Sequence, residues 1–338
     1  MNGIMNRTRL TLLVCAAALV ALALPGSASA SRAHLLKLYK VEQHVDLMGQ
    51  DGDYQVQCPN NDLALQGMWR VDNVEQDNDY INDGGPGGSW GRPDWDVLRS
   101  VRPVKAAAID DSTYDFVFTP LAGGEVQLKL WVTCLGWKSE TVNSHYVSWQ
   151  ISNPYTSTVT LTNPTAKLQQ TSSNCPSGYI AVQPGFEFTT GDADVTESDS
   201  ANSNKAWTWS LDNGLWDTTT NTVVAKFTRS CLELRSQAAS DGSGHKHRIV
   251  VQKANAFAPS TVLASGTSEV QAQCGQLYKG MLGGWNYSSF GGTDYSTQLF
   301  FLGMDPRIKI RAFKWINNGA AVNTSDVVSL LCFKDKTT

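Results

Sequence analysis

The residues of this chain best suited to chemistry are its cysteines, a crowd of carboxylates and tryptophans between positions 72 and 96, and a few histidines. Six cysteines follow the N-terminal segment: Cys58, Cys134, Cys175, Cys231, Cys274 and Cys332. An even set in an exported chain reads as a disulfide framework. Zinc is the competing use of thiols, but there is no Cys-x-x-Cys and no histidine at ligand spacing from any of the six. In the acidic insertion, Asp77-x-Asp79-x-x-x-Asp83-Gly84 echoes a calcium loop without its terminal glutamate. Asp77, Asp79 and Asp83 are therefore candidate calcium ligands, and calcium is the one candidate cofactor. Trp90 and Trp95 stand beside Asp94 and Asp96. An indole face with a neighbouring carboxylate can stack on a sugar ring and hydrogen-bond to it, which makes these four the candidate glycan-binding set. Trp137 and Trp216 also fall off the strand pattern, and the second unit carries Asp192, Asp194, Glu197 and Asp199 in the matching stretch.

Covalent catalysis finds less support. Gly87-Gly-Ser89-Trp-Gly91 matches G-x-S-x-G, but a nucleophile elbow needs a strand before it and a helix after it, and this stretch is a glycine-rich loop. His245 and His247 would share one face of a strand without a third metal ligand, and are expected at an exposed strand edge. No histidine pairs with a serine, cysteine or carboxylate, so no catalytic residue is assigned.

The elements that must position these groups recur. Cys58 to Trp69 reads CPNNDLALQGMW, Cys175 to Phe186 reads CPSGYIAVQPGF, and Cys274 to Trp285 reads CGQLYKGMLGGW. In each, an aromatic stands 11 residues after a cysteine, with glycine one or two residues before it. Each copy then carries an aromatic doublet at spacing two: Phe116/Phe118, Trp207/Trp209 and Phe313/Trp315. Spacing two puts both rings on one face of a strand. A reversal signal follows each doublet, at Ala-Gly-Gly124, Asp-Asn-Gly214 and Asn-Asn-Gly319. Apolar residues then alternate in phase with a closing cysteine: Leu128, Leu130 and Val132 before Cys134; Val223, Ala225 and Phe227 before Cys231, interrupted by Arg229; Val328 and Leu330 before Cys332. Such alternation predicts a strand with one buried and one wet face.

Six cysteines allow fifteen pairings, and spacing alone does not choose. The repeat does, because each unit holds one opening and one closing cysteine, giving Cys58–Cys134, Cys175–Cys231 and Cys274–Cys332. The bridge would pin two sheets, with the aromatic at the eleventh position packed beside it. The expected fold class is all-β: three tandem β-sandwich domains, immunoglobulin-like in architecture, each closed by one disulfide. The domains span 31–138, with the acidic, glycine- and tryptophan-rich insertion at 72–96, then 139–240 and 241–338. Boundaries fall near Trp137–Asn143 and at Ser236–Gly244, the latter reading as a flexible linker. Helical periodicity is confined to a possible turn at Leu35–Val41.

Residues 1–30 read as a signal peptide. Arg7 and Arg9 form its positive start, Leu10 to Leu24 its apolar centre, and Ala30 ends a small-residue cleavage site. Removing it takes away two arginines and no acid, which moves the formal charge from −4 to −6. A mildly acidic chain without basic runs argues against nucleic acid as a partner. No apolar run after the signal reaches the ~18 residues of a membrane span.

The pattern CP-x-G, then GG-W, then aromatic-x-aromatic, then Cys resembles repeats of secreted bacterial proteins, mostly of unassigned function, over nearly the whole mature chain. Phe186 replaces tryptophan in the second copy, and Cys274 lacks the following proline. The expected function is that of an exported, non-enzymatic structural, surface or interaction protein, whose partner is an extracellular glycan or another surface protein. The alternative is a glycan- or calcium-dependent binding module using the 72–96 insertion; an extracellular hydrolase ranks last.

Overall fold

The structure, a computed structural model, describes residues 36–48, 52–75, 103–118, 125–142, 144–162, 167–191, 193–212, 222–242, 246–255, 261–263, 266–287, 299–317, 321–324 and 328–337. Leu35–Thr338 form one compact unit. Among the described residues its regular structure is strand, apart from a 3-10 turn at Pro59–Asn61. No described helix is long and apolar enough to cross a membrane.

The first repeat supplies β1 (Leu38–Met48), β2 (Gly52–Gln57), β3 (Leu63–Glu75), β4 (Pro103–Ala108), β5 (Thr113–Phe118) and β6 (Glu125–Leu135). The second supplies β7 (Ile151–Leu161), β8 (Lys167–Thr171), β9 (Tyr179–Thr190), β10 (Asp194–Ala201), β11 (Ala206–Asp212) and β12 (Val223–Glu233). The third supplies β13 (His247–Asn255), β14 (Thr261–Leu263), β15 (Gly266–Gln273), β16 (Lys279–Asn286), β17 (Leu299–Pro306), β18 (Ile310–Asn317), β19 (Val322–Thr324) and β20 (Val328–Thr337). Strands β14 and β19 form a separate two-stranded ribbon.

Three six-stranded antiparallel sheets result, and each is spliced from two repeats. The first runs β1-β6-β3-β17-β18-β15, the second β13-β20-β16-β10-β11-β8, the third β7-β12-β9-β4-β5-β2. Each repeat sends one three-strand half to one sheet and its other half to the next, so the sheets connect the repeats cyclically. The physical reason is the edge. Each half leaves one strand with unpaired backbone groups, and the neighbouring repeat pairs it. The seams are β3 with β17 at Arg70↔Gly303, β9 with β4 at Phe186↔Ala106, and β16 with β10 at Trp285↔Ser198.

These seams explain the aromatic at the eleventh position. Trp69, Phe186 and Trp285 are all buried and lie on or beside a seam. The Trp69 ring meets Phe186 at 6.1 Å and Trp285 at 5.8 Å, both edge to face, and Phe301 stacks on Trp285 at 4.5 Å. One ring from each repeat thus joins a shared cluster, and each such pair contributes about 0.5–1.5 kcal/mol beyond its area. The rings do not pack beside the bridges. Trp69, Phe186 and Trp285 pair with Leu130, Phe227 and Val328, each four residues before its closing cysteine. That is about 13 Å along a strand. The glycines near the rings serve close approach. A Cβ on Gly185 would stand 2.8 Å from Ala107, and one on Gly284 would stand between Asp199 and Ser329.

Three disulfides close the repeats as the repeat logic requires: Cys58–Cys134, Cys175–Cys231 and Cys274–Cys332, with Cα separations of 5.8, 5.8 and 5.6 Å. They fit an oxidising, extracytoplasmic setting. Each opening cysteine also donates its backbone N–H to a carbonyl of its own repeat's hairpin: Ser112, Lys205 and Lys309 respectively. This triple bond pattern fixes the alignment of the repeats. Four residues after the acceptor stand Phe116, Trp209 and Phe313, so the doublet Trp207/Trp209 is displaced by two from its expected match.

Several other expectations are corrected. The stretch at Leu35–Val41 contains no described helix and enters β1, which pairs along its whole length with β6. Strand β12 alternates buried and half-buried as expected, with Arg229 on the buried side. Strand β6 does not: Trp131, Thr133 and Leu135 are buried too. Its second face is covered because the Trp131 indole donates to Glu42 at 2.9 Å and lies beneath Lys40 and Arg70. The reversals expected after the doublets, at 122–124, 213–214 and 318–319, lie outside the described residues; the strands flanking each belong to different sheets and do not pair with each other. The described part of Ser236–Gly244 is tied down rather than free. Ser236 N–H donates to His247 O, Gln237 N–H to Ser148 O, and Ser240 N–H to Tyr146 O, so this segment is bonded to the chain just past the first expected boundary and to the start of β13.

Candidate functional site

The short hairpins β4–β5, β10–β11 and β17–β18 carry turns that differ in charge from one repeat to the next. Their turns read Asp110-Asp111-Ser112, Asn202-Ser203-Asn204 and Arg307-Ile308-Lys309. The basic turn of the third repeat borders a cleft of about 400 Å³ between that repeat and β1 and β6 of the first. This lies within the ~300–1,000 Å³ of small-molecule sites. Leu38, Tyr39, Pro306 and Ile308 give it apolar walls, and Lys40, Lys279, Arg307 and Arg311 give it four cations. Among the described residues its lining contains no carboxylate, histidine or thiol.

Arg311 is the organising residue. Two residues after the hairpin carbonyl that holds the opening cysteine, the first repeat has Tyr114 and the second Trp207, both fully buried. The third has Arg311, 2% exposed. Each of the two aromatics needs only one acceptor: the Tyr114 hydroxyl donates to Pro184 O of the second repeat, and the Trp207 indole to Ser198 Oγ. Arg311 instead spreads its donors over neutral oxygens. Nη1 donates to Arg307 O and Ile310 O, and Nη2 to Thr133 Oγ1, Gly280 O and Met281 O. Its Nε is buried without a partner. Burial pushes the guanidinium down to about 9, with nearby Asp305 acting in the opposite direction. It is therefore still a cation at neutral pH, and no carboxylate among the described residues pairs with it.

The remaining charges are unevenly compensated. Lys40 lies 3.2 Å from Glu42, and Arg307 lies 3.3 Å from Asp305 and 3.7 Å from Glu269. Asp305 is shared with Arg70 at 3.1 Å. Lys279 has no carboxylate within ion-pair distance among the described residues. The Tyr39 hydroxyl donates to Asp62 at 2.6 Å, and burial pushes that phenol well above its ordinary range. Chemically, the cleft can hold an anion against two incompletely neutralised cations, one of them at low dielectric. A second, more open groove of about 690 Å³ runs along Asn60, Asp62, Trp137 and Lys138, with the Lys138 ammonium 5.0 Å over the Trp137 ring.

No protein-family model matches the chain, and no curated protein is recognisably similar to it.

The sequence-derived candidates fall as follows. Asp77, Asp79, Asp83, Trp90, Trp95, Asp94 and Asp96 lie outside the described residues, as do Trp216, Asp192 and the Gly87–Gly91 loop. Asp194, Glu197 and Asp199 do not form a loop; they lie on β10, each engaged by protein donors. Tyr287 hydroxyl donates to Asp194 at 2.6 Å, Ser210 Oγ to Glu197 at 2.5 Å, and Lys253 Nζ to Asp199 at 2.8 Å. Among the described residues no three of His, Cys, Asp and Glu gather as metal ligands. His247 is fully buried rather than at an exposed edge, 3.3 Å from Asp335 and edge-on to Trp149. The doublet residues Phe116, Phe118, Trp207, Trp209, Phe313 and Trp315 are all buried. Sequence reasoning missed the basic cleft. The available signal was the run Arg307-Ile-Lys-Ile-Arg311, which puts two arginines and a lysine in phase leading into the aromatic doublet.

Proposed function

We propose that this is an exported, non-enzymatic protein that acts at or outside the cell surface as a structural or interaction component. Its leader would be removed after Ala30. The observation that supports this reading is the construction: three bridged repeats spliced into a cyclic set of sheets, whose hairpin turns differ in charge. Such a frame holds turns of different charge in fixed positions, which suits contact with a surface polysaccharide or a surface protein. The test is to pass the purified mature chain over immobilised extracellular polysaccharides and over solubilised envelope proteins, and in parallel to assay it for hydrolysis of polysaccharide, peptide and ester substrates. Saturable retention without turnover is expected. Reproducible turnover of any substrate class would overturn the reading.

A further inference from the structure

We infer that the cleft between β1 and β6 of the first repeat and the β17–β18 hairpin of the third is a binding site for a small organic oxyanion, a carboxylate or sulfonate carried on an apolar body about one ring in size. This gives the proposed role a ligand without depending on it, since a small molecule can occupy the cleft whether or not the protein also contacts a surface.

Three observations carry the inference. First, the third repeat has put a cation where its two sister repeats bury Tyr114 and Trp207. A buried charge held only by neutral oxygens is costly, and replacing it with an aromatic is the solution the same fold uses twice. Arg229 is likewise buried on neutral acceptors; what sets Arg311 apart is that it lines a cleft together with three further cations. Second, that cation lines a cleft whose other cations come from separate elements: Lys40 from β1, Lys279 from β16 and Arg307 from the hairpin. Convergence of four positive groups from three elements, β1, β16 and the β17–β18 hairpin, in a chain of net charge −4, is a local reversal of the molecule's overall sign. Third, the walls between the cations are apolar, and Ile308 at the lip is 76% exposed, one of three large exposed hydrophobic residues found among the described ones. A bare inorganic anion has no use for such walls, whereas a carboxylate on a ring would bury its body against Leu38, Pro306 and Ile308 and present its charge to Lys279 and Arg307.

The experiment is a calorimetric titration of the oxidised mature chain with benzoate, benzenesulfonate, neutral benzamide and inorganic sulfate, at low and at high salt. Saturable binding of benzoate or benzenesulfonate is expected, weakened by salt, with no measurable binding of benzamide. The exposed pair Lys279→Glu/Arg307→Glu should weaken anion binding more than about tenfold while the protein unfolds at the same temperature. Arg311→Met tests the buried cation directly, with Arg311→Lys as the variant that retains charge. If Arg311→Met fails to fold, the exposed pair decides. Equal binding of benzamide, undiminished binding by the exposed-pair variant, binding of sulfate but not of benzoate, or no saturable anion binding would each overturn the inference. These outcomes are separate from surface retention, so the ligand and the proposed surface role fail independently.

Discussion

Gln66 and Gly283 exchange two hydrogen bonds across 217 residues of sequence: Gln66 Nε2 donates to the Gly283 carbonyl at 2.7 Å, and the Gly283 N–H donates to Gln66 Oε1 at 2.7 Å. Gln66 sits at the bulge of β3, where register shifts between Ala64 and Gln66, and Gly283 lies just past the matching bulge of β16. The amide side chain thus completes the backbone of another repeat. Gln183 does similar work in the second repeat, donating to the Asp110 carbonyl at 3.2 Å.

Removing this clasp leaves a buried N–H and a buried C=O without partners. Gln66→Leu is expected to cost about 2–6 kcal/mol, counting roughly 1–3 kcal/mol for each orphaned group. Urea unfolding of the oxidised protein measures it. A loss below about 0.5 kcal/mol would show that water or a neighbour takes over both bonds.

The β3–β17 seam depends on one glycine. Gly303 has φ of +114°, and a Cβ there would stand 2.0 Å from the Trp69 carbonyl oxygen. Gly178 also has positive φ, at +86°, but open space around it. Gly303→Ala should therefore be severely destabilising, by about 3 kcal/mol or more, while Gly178→Ala should cost only about 1 kcal/mol. Paired denaturation curves of the two variants test the contrast, and similar costs would remove the seam as the cause.

Because every sheet is shared, a repeat cut out of the chain loses partners at two edges. An isolated fragment 241–338 would expose the β16 edge beside Trp285 and the β17 edge beside Phe301. It is expected to unfold or self-associate, by sedimentation and circular dichroism, even with Cys274–Cys332 formed. A monomeric fragment with a cooperative melt would contradict this coupling of the repeats.

The disulfide of the second repeat closes a loop with a sequence separation of 56. Replacing Cys175 and Cys231 together by alanine should cost about 4 kcal/mol on chain-entropy grounds. Unfolding should remain a single transition, since the spliced sheets tie the repeats together. Separate transitions by fluorescence and circular dichroism would count against that tie.

The Glu42 carboxyl is held down to about 2, first by the hydrogen bond from the Trp131 indole and then by those from His44 and Lys40, against an opposing effect of burial. A carboxylate depressed in the folded state stabilises above its unfolded pKa of about 4.3, and that stabilisation is lost as pH falls towards the folded value. Trp131→Phe should flatten the loss of stability between about pH 4 and pH 2. Unchanged acid unfolding in that variant would mean that the indole is not the cause.

Much of this was legible along the chain because it is local. The cysteine pairing followed from one opening and one closing cysteine per repeat, and the alternation of Val223, Ala225 and Phe227 marked β12, since side chains on a strand alternate faces whatever the strand pairs with. The eleventh-position rings could be recognised as important, but their destination could not. Whether Trp69 packs on its own bridge or on Phe186 and Trp285 depends on which edge each half-sheet finds, and a strand's edge carries no sequence label for its partner. The cleft was hidden for the same reason: Lys40 precedes Lys279 by 239 positions, and neither shares a motif with Arg311. By itself the sequence determined an all-β, three-times-bridged repeat, because those features rest on period and spacing. Only tertiary structure decided that the repeats interleave, and that cations of β1, β16 and the β17–β18 hairpin face one cavity, because edge pairing and convergence are properties of the assembled sheets.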